Sequence, residues 1–215
     1  MFENLENYIT TKILNSEITL ERKLILDNIS EYLKKEITNN QTINLNFICT
    51  HNSRRSHLVQ IWSKTAINYF NLIDINCYSG GTAVTALFPK IIETLEHQGF
   101  KIEEISKDKN PIYNIKSGEN EIPIIGFSKR YDSDFNPQSN FIAMMTCSEA
   151  DQDCPIIIGC KKRFSLNYQD PKLSDETEYQ SQIYKERSLE IAREMFYVFQ
   201  KIKKILMLNQ DFVLQ

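Results

Sequence analysis

The sequence has no run approaching the roughly 18 apolar residues of a membrane-crossing helix. Its first residues, Met1-Phe2-Glu3-Asn4-Leu5-Glu6, are acidic and lack the apolar stretch of a secretory leader. It has no excess of positive charge: 25 basic against 28 acidic residues give a net charge of −3. No nucleic acid and no membrane is therefore expected as a partner. Lys161-Lys162-Arg163 and the lysines from Lys201 to Lys204 read as solvated faces. No internal repeat or low-complexity stretch divides the chain. Cysteines are few and odd in number, five in all, so they do not make a disulfide scaffold. Such cysteines suit a reducing, cytoplasmic setting, as core residues, metal ligands or reactive thiols. Nothing in the sequence fixes an oligomeric state.

What is present is an ordinary globular composition, 41% apolar and 25% charged over 215 residues, enough for one good-sized core. Residues 5 to 37 carry apolar side chains at helical spacing, with Ser16 or Thr19 as caps. They predict an N-terminal helical extension, residues 1–40, packed on the core or on another subunit. From residue 41 to 215 strands alternate with helices. Strands are predicted at Ile43–Ile48, Ile73–Tyr78, Phe100–Ile105, Phe141–Thr146 and Arg163–Leu166. Helices are predicted at His57–Phe70, Phe88–His97 and Asp175–Leu208; Pro89 suits the first turn of the second, and Gly99 falls just past its end. Ser79-Gly80-Gly81-Thr82 reads as a tight turn and Cys147–Cys154 as an acidic loop. Residues 107–140 are less regular and read as an insertion with a hairpin, Ile112–Ile115 and Ile122–Phe127. Alternating strands and helices imply a parallel sheet that binds ligands beyond the carboxyl ends of its strands.

One stretch at such an end carries chemistry. Cys49-Thr50-His51-Asn52-Ser53-Arg54-Arg55-Ser56 joins the Ile43–Ile48 strand to the His57–Phe70 helix. A helix N-terminus offers unpaired N–H groups and positive potential, which favour a thiolate and accept a tetrahedral oxyanion. Arg55, six positions after Cys49, adds a planar fork for two oxygens. Ser56 can donate to the cysteine sulfur, Asn52 can bond the loop's backbone, and Arg54 adds positive charge nearby. The bland alternative is a buried cysteine with an accidental surface arginine.

The loop resembles that of the low-molecular-weight protein tyrosine phosphatase superfamily, Cys-x-Gly-Asn-x-x-Arg-Ser. Cys49, Asn52, Arg55 and Ser56 match, while His51 stands where glycine is usual. The resemblance spans about residues 43 to 206. It implies a three-layer α/β/α fold with a central, mainly parallel four-stranded sheet, and residues Thr50 to Ser56 around the oxyanion. Cys147-Ser148-Glu149-Ala150-Asp151-Gln152-Asp153-Cys154-Pro155 closely resembles the resolving-cysteine segment of thioredoxin-coupled arsenate reductases, Cys-Ser-x-Ala-Asp-x-x-Cys-Pro. Its spacing is poor for zinc and suits thiol–disulfide exchange. Asp170-Pro171 resembles the family's general-acid turn before the last helix. Tyr78-Ser79-Gly80-Gly81 resembles its Tyr-Ser-Ala-Gly turn, where some relatives use the serine and the loop asparagine to hold potassium. The resemblance thus implies catalytic Cys49, Arg55, Asp170, Cys147 and Cys154, no required cofactor, and an optional potassium ion at Asn52 and Ser79.

The function implied is arsenate reduction through a three-cysteine relay regenerated by thioredoxin. The alternatives are phosphomonoester hydrolysis on phosphotyrosine through a phosphocysteine, with Cys147 and Cys154 protecting Cys49 from over-oxidation, and a non-catalytic oxyanion-binding protein. Cys77 reads as a core residue. Cys160 reads as structural too, with a substitute resolving role open to it.

Overall fold

The computed structural model describes residues 1–39, 41–154 and 156–213. In chain order the helices and strands begin with α1 (Glu3–Tyr8), which runs into a π-helical turn (Ile9–Ile13), then α2 (Leu20–Thr38), β1 (Ile43–Cys49) and α3 (Arg55–Tyr69). Next come β2 (Ile75–Gly81), α4 (Pro89–His97), β3 (Lys101–Glu104), β4 (Tyr113–Lys116) and β5 (Ile124–Gly126). The chain closes with β6 (Phe141–Met145), α5 (Ser148–Asp153), β7 (Cys160–Ser165), a 3-10 turn (Pro171–Ser174) and α6 (Gln180–Val213). Pro155, part of the predicted resolving segment, lies outside the described residues, as does the side chain of Ile205 in the predicted last helix. No described helix is long and apolar enough to cross a membrane.

The centre is a four-stranded parallel sheet in the order β2-β1-β6-β7, as the resemblance implies. Its two inner strands are buried on both faces, which is why their sequences run apolar instead of alternating. Ile43, Leu45 and Phe47 of β1, with Ile142 and Met144 of β6, face a large core shared with α2, α3, α4 and α6. Ile48, Phe141, Ala143 and Met145 face a smaller cluster closed by α5, Ile157 and Tyr131. Helices therefore flank both faces. Thr19 caps α2, accepting from the Arg22 N–H. Gly99 terminates α4 with φ +101.

The N-terminal helices are part of the main core. Leu5, Ile9, Leu26 and Leu33 have no exposure. A buried chain of polar groups adds specificity: Trp62 Nε1 donates to Ser188 Oγ (2.9 Å), Ser188 to Gln98 Oε1 (2.7 Å), and Gln98 to the Tyr8 hydroxyl (2.9 Å).

Four predictions are corrected. Ser79-Gly80-Gly81 is not a turn but the end of β2, paired with Phe47, Ile48 and Cys49. The two glycines reflect close approach: a Cβ on Gly80 would lie 2.3 Å from Tyr131 Cα, and one on Gly81 would lie 2.7 Å from the Asn52 nitrogen. Cys147–Cys154 is not a loop, because Ser148–Asp153 form α5. The Phe100–Ile105 strand forms, as β3, but joins a separate antiparallel sheet, β3-β4-β5, with the predicted hairpin. The last helix starts at Gln180, five residues later than predicted, with Glu176 at φ 63 just before it.

Because Ile9 is fully buried, Ile9→Ala is expected to cost about 3 kcal/mol of stability by cavity formation. Urea unfolding checks this; a cost under about 0.5 kcal/mol would mean that the N-terminal helices are not core elements.

Candidate active site

Cys49 ends β1, Arg55 opens α3, and the five residues between them curl over the sheet's carboxyl edge. The curl is held from outside. The carbonyl of Cys49 accepts from Thr82 N (3.1 Å), that of Thr50 from Ala83 N (2.8 Å), and that of Ser53 from Phe88 N (3.0 Å). The His51 carbonyl accepts from Ser128 Oγ (2.8 Å) and Thr85 Oγ1 (3.3 Å). A trans peptide unit points its N–H opposite to its C=O. Anchoring these four carbonyls outward therefore turns the N–H groups of Thr50, His51, Asn52 and Arg54 inward. The Asn52 N–H indeed reaches Cys49 Sγ at 3.2 Å. This is a concave set of donors around a sulfur, suited to a tetrahedral anion.

The residue with positive φ is Asn52 (φ 45), not His51, and asparagine tolerates this region better than most residues. His51 in place of glycine therefore leaves the loop intact, and its side chain is exposed. The Asn52 side chain is the hub beneath the loop. Its amide donates to Ser56 Oγ (2.9 Å) and Ser79 Oγ (3.0 Å), and its carbonyl accepts from Lys129 N (2.9 Å). Ser56 Oγ lies 3.1 Å from Cys49 Sγ.

Arg55 is buried and points at Asp170: Nη2 donates to Asp170 Oδ2 at 2.6 Å, and Nη1 to the Tyr168 carbonyl at 3.1 Å. Asp170 Oδ1 accepts from Lys172 N (3.0 Å), which fixes the carboxyl at the start of the 3-10 turn. Glu149 Oε2 approaches Arg55 at 3.6 Å from the other side. Its carboxyl is held below the ordinary range by a backbone hydrogen bond first, with Arg55 contributing. Arg54 behaves differently from Arg55. It donates to Asp175 and to the Tyr184 hydroxyl, each at 2.6 Å, and lies 3.9 Å over the Phe88 ring. It is committed to this frame, leaving Arg55 as the loop's fork.

Cys147 is fully buried at the N-cap of α5. Its Sγ accepts from Ala150 N (3.4 Å) and lies 3.5 Å from Thr50 Oγ1, next to Cys49 in sequence. Burial pushes its thiol up; the Thr50 hydroxyl, the Ala150 N–H and Arg55 oppose this, while Cys49 adds to it. Cys154 is the C-cap of the same helix, and Arg163 donates to its carbonyl. Arg163 and Ser165 on β7 also grip Asp151, so α5 is clamped to the sheet. Cys49, Cys147, Cys154 and Cys160 all belong to or pack on the smaller core cluster, and every cysteine is free. Cys77 packs on the main core, and burial pushes its thiol up to about 12.

The structure thus gathers Cys49, Asn52, Arg55, Ser56, Ser79, Cys147 and Asp170 around the loop, while Arg54 is turned to Asp175 and Tyr184 and Cys154 stands at the far end of α5. It adds Thr82, Ala83, Thr85, Phe88, Ser128, Lys129 and Glu149, which no spacing in the sequence announces. The residues do not fit a potassium ion. Asn52 turns its NH2 group to Ser79 and its carbonyl oxygen to a backbone N–H, leaving no oxygen pair facing a cation. Among the described residues no cluster of His, Cys, Asp or Glu could hold a metal.

No family model matches the chain. Arsenate reductase 1 of Staphylococcus saprophyticus is 27% identical over 134 residues, 62% of this chain and 82% of that protein. Arsenate reductase 1 of Staphylococcus haemolyticus is 28% identical over 134 residues, 62% and 81% of the two chains. Among solved structures, a YwlE mutant from Bacillus subtilis aligns with a TM-score of 0.53 at 16% identity, covering 75% of this chain and 99% of that one. A low-molecular-weight protein tyrosine phosphatase from Bacillus subtilis, solved in solution, aligns with a TM-score of 0.51 at 17% identity, over 75% and 98% of the two chains. The chain thus has the parallel-sheet fold of the low-molecular-weight protein tyrosine phosphatases and is similar in sequence to arsenate reductases.

Proposed function

We propose that the protein reduces arsenate to arsenite by a relay of Cys49, Cys147 and Cys154, with a thioredoxin-type dithiol as the final reductant. The observation that carries this reading is the placement of Cys147. It is buried beside the oxyanion loop, 3.5 Å from Thr50 Oγ1, with Cys154 at the opposite end of the same short helix. A phosphatase needs only the loop thiol.

In this reading arsenate enters the ring of N–H groups and takes over the Arg55 fork from Asp170 and Glu149. The Cys49 thiolate attacks arsenic; Asp170, released from Arg55, protonates the departing oxygen, which leaves as water. The Cys147 thiolate then attacks Cys49 Sγ. The electron pair of the sulfur–arsenic bond passes to arsenic, arsenite leaves, and a Cys49–Cys147 disulfide remains. Cys154 thiolate attacks Cys147 Sγ, regenerating the Cys49 thiolate and leaving a Cys147–Cys154 disulfide for external reduction.

The last exchange needs a change of shape. Cys147 and Cys154 cap the two ends of α5, seven positions apart. Helical rise alone separates them by about 10 Å, whereas a disulfide needs Cα atoms roughly 4.4–6.8 Å apart. So α5 must unwind, releasing Asp151 from Arg163 and Ser165.

Phosphomonoester hydrolysis is the second reading, favoured by a groove of about 980 Å3 that shares Asp170, but no residue of the Cys49–Ser56 loop, with the site and runs past Leu173, Tyr179 and Ile183. Arsenate has no use for so large a space beside the general acid, while a phosphorylated side chain has a leaving group to put there.

With arsenate and thioredoxin, Cys147→Ser and Cys154→Ser are each expected to lose at least 100-fold in steady arsenite production. Full activity in both would sink the relay. Aryl phosphate hydrolysis, if present, should vanish in Cys49→Ser and survive in Cys154→Ser. Unwinding of α5 predicts that amides 148–153 exchange hydrogen at least tenfold faster in the Cys147–Cys154 disulfide form than in the reduced protein. Equal exchange in the two forms would contradict the shape change. Arg55→Lys is expected to cost about 100-fold in kcat/KM for either substrate, because an ammonium cannot reproduce the two-oxygen fork. A loss under threefold would remove Arg55 from the site.

A further inference from the structure

A buried lysine without a carboxylate partner is costly and asks for a reason. Lys129 is 3% exposed. Its ammonium donates to the Phe127 carbonyl at 3.2 Å and lies 4.4 and 5.3 Å from the ring centres of Phe127 and Phe135. Among the described residues no carboxylate pairs with it, and burial lowers the amine to about 7. The group it faces on α3 is His57, which is also fully buried. Burial first, and then the charge of Lys129, hold the imidazole well below its ordinary range, so it is neutral.

The His57 ring and the Lys129 backbone lie directly behind the oxyanion loop. His57 Nδ1 is 3.4 Å from Ser79 Oγ, which accepts from the Asn52 amide; the Lys129 N–H holds the Asn52 carbonyl. Below about pH 7 the Lys129 amine therefore places a positive charge on the His57 side of Asn52. At Asn52 and Ser79 the same donors leave no oxygen pair for an alkali ion.

We propose that the Lys129 ammonium is the loop's own resident cation, a positioning residue that acts through the Asn52 turn, so that oxyanion binding needs no potassium. This rests on the oxyanion-loop reading given above. With no carboxylate paired to it, the ammonium finds its opposite charge in the anion bound in the loop. In a water-poor site that attraction is stronger than in bulk water. The same charge is a burden to the empty protein, since removing an uncompensated buried charge commonly stabilises a fold. Stability and anion affinity should therefore move in opposite directions when the charge is removed.

The test uses the whole protein, sulfate as a non-reacting tetrahedral dianion, and Lys129→Met, which keeps length and backbone N–H but removes the charge. Calorimetric titration is expected to show sulfate affinity about tenfold weaker in the variant, with a thermal midpoint equal to or above that of the parent. Parent affinity should be the same in KCl and NaCl at equal ionic strength. Unchanged affinity in the variant, a joint fall of affinity and thermal midpoint, or a parent affinity that rises in KCl would each overturn the proposal. If the parent binds no sulfate at all, the oxyanion-loop reading fails instead.

Discussion

The constraint on which the site depends is the outward anchoring of four loop carbonyls. Cys49, Thr50, His51 and Ser53 each give their carbonyl to a donor outside the loop. Planar peptide geometry then leaves the N–H groups no direction but inward. Everything chemical follows from that: a sulfur at the bottom of a ring of donors suited to a tetrahedral anion. The donors come from the segment after β2 and from Ser128, so the parts of the chain that look least regular hold the most regular part of the site.

A second dependence runs through Arg55. Asp170, the Tyr168 carbonyl and Glu149 surround the guanidinium. In the absence of substrate these acceptors keep a buried cation satisfied. In the proposed reaction an oxyanion takes the fork, and Asp170 is freed at the moment a proton donor is wanted. In that proposal the same ion pair serves folding in one state and chemistry in the other. Arg54, one residue earlier, is bound into an aromatic and carboxylate frame with Phe88, Tyr184 and Asp175, which fixes the entry of α3.

How far the sequence revealed this follows from the range of the forces involved. The Ile43–Ile48 run, Cys49, Arg55 and Ser56 are local features, and β1, the loop and α3 fall within a residue or two of where apolar patterning puts them. Asp170 was legible only through the motif that the chain resembles, since Asp-Pro alone is an ordinary turn. Ser128 and Lys129 were not legible: they act across 77 positions on His51 and Asn52, and no periodicity marks such a contact. The glycines of Ser79-Gly80-Gly81 mimic a turn because the sequence cannot tell a glycine required by φ from one required by a neighbouring backbone. Helix α5 is only six residues long and acidic, too short for a periodic signal, and it stands through its Cys147 cap and the Asp151–Arg163 clamp. His51 stands where glycine is usual, but the left-handed residue of the loop is Asn52, which the sequence pattern does not reveal.

The central claim is that the loop thiolate ends its cycle as part of a disulfide. The most direct measurement is mass-spectrometric mapping of disulfides after the reduced protein meets excess arsenate once, with no external reductant. One arsenite per chain and a Cys147–Cys154 bond with Cys49 free are expected. An unchanged set of five thiols, with no arsenite formed, would contradict it.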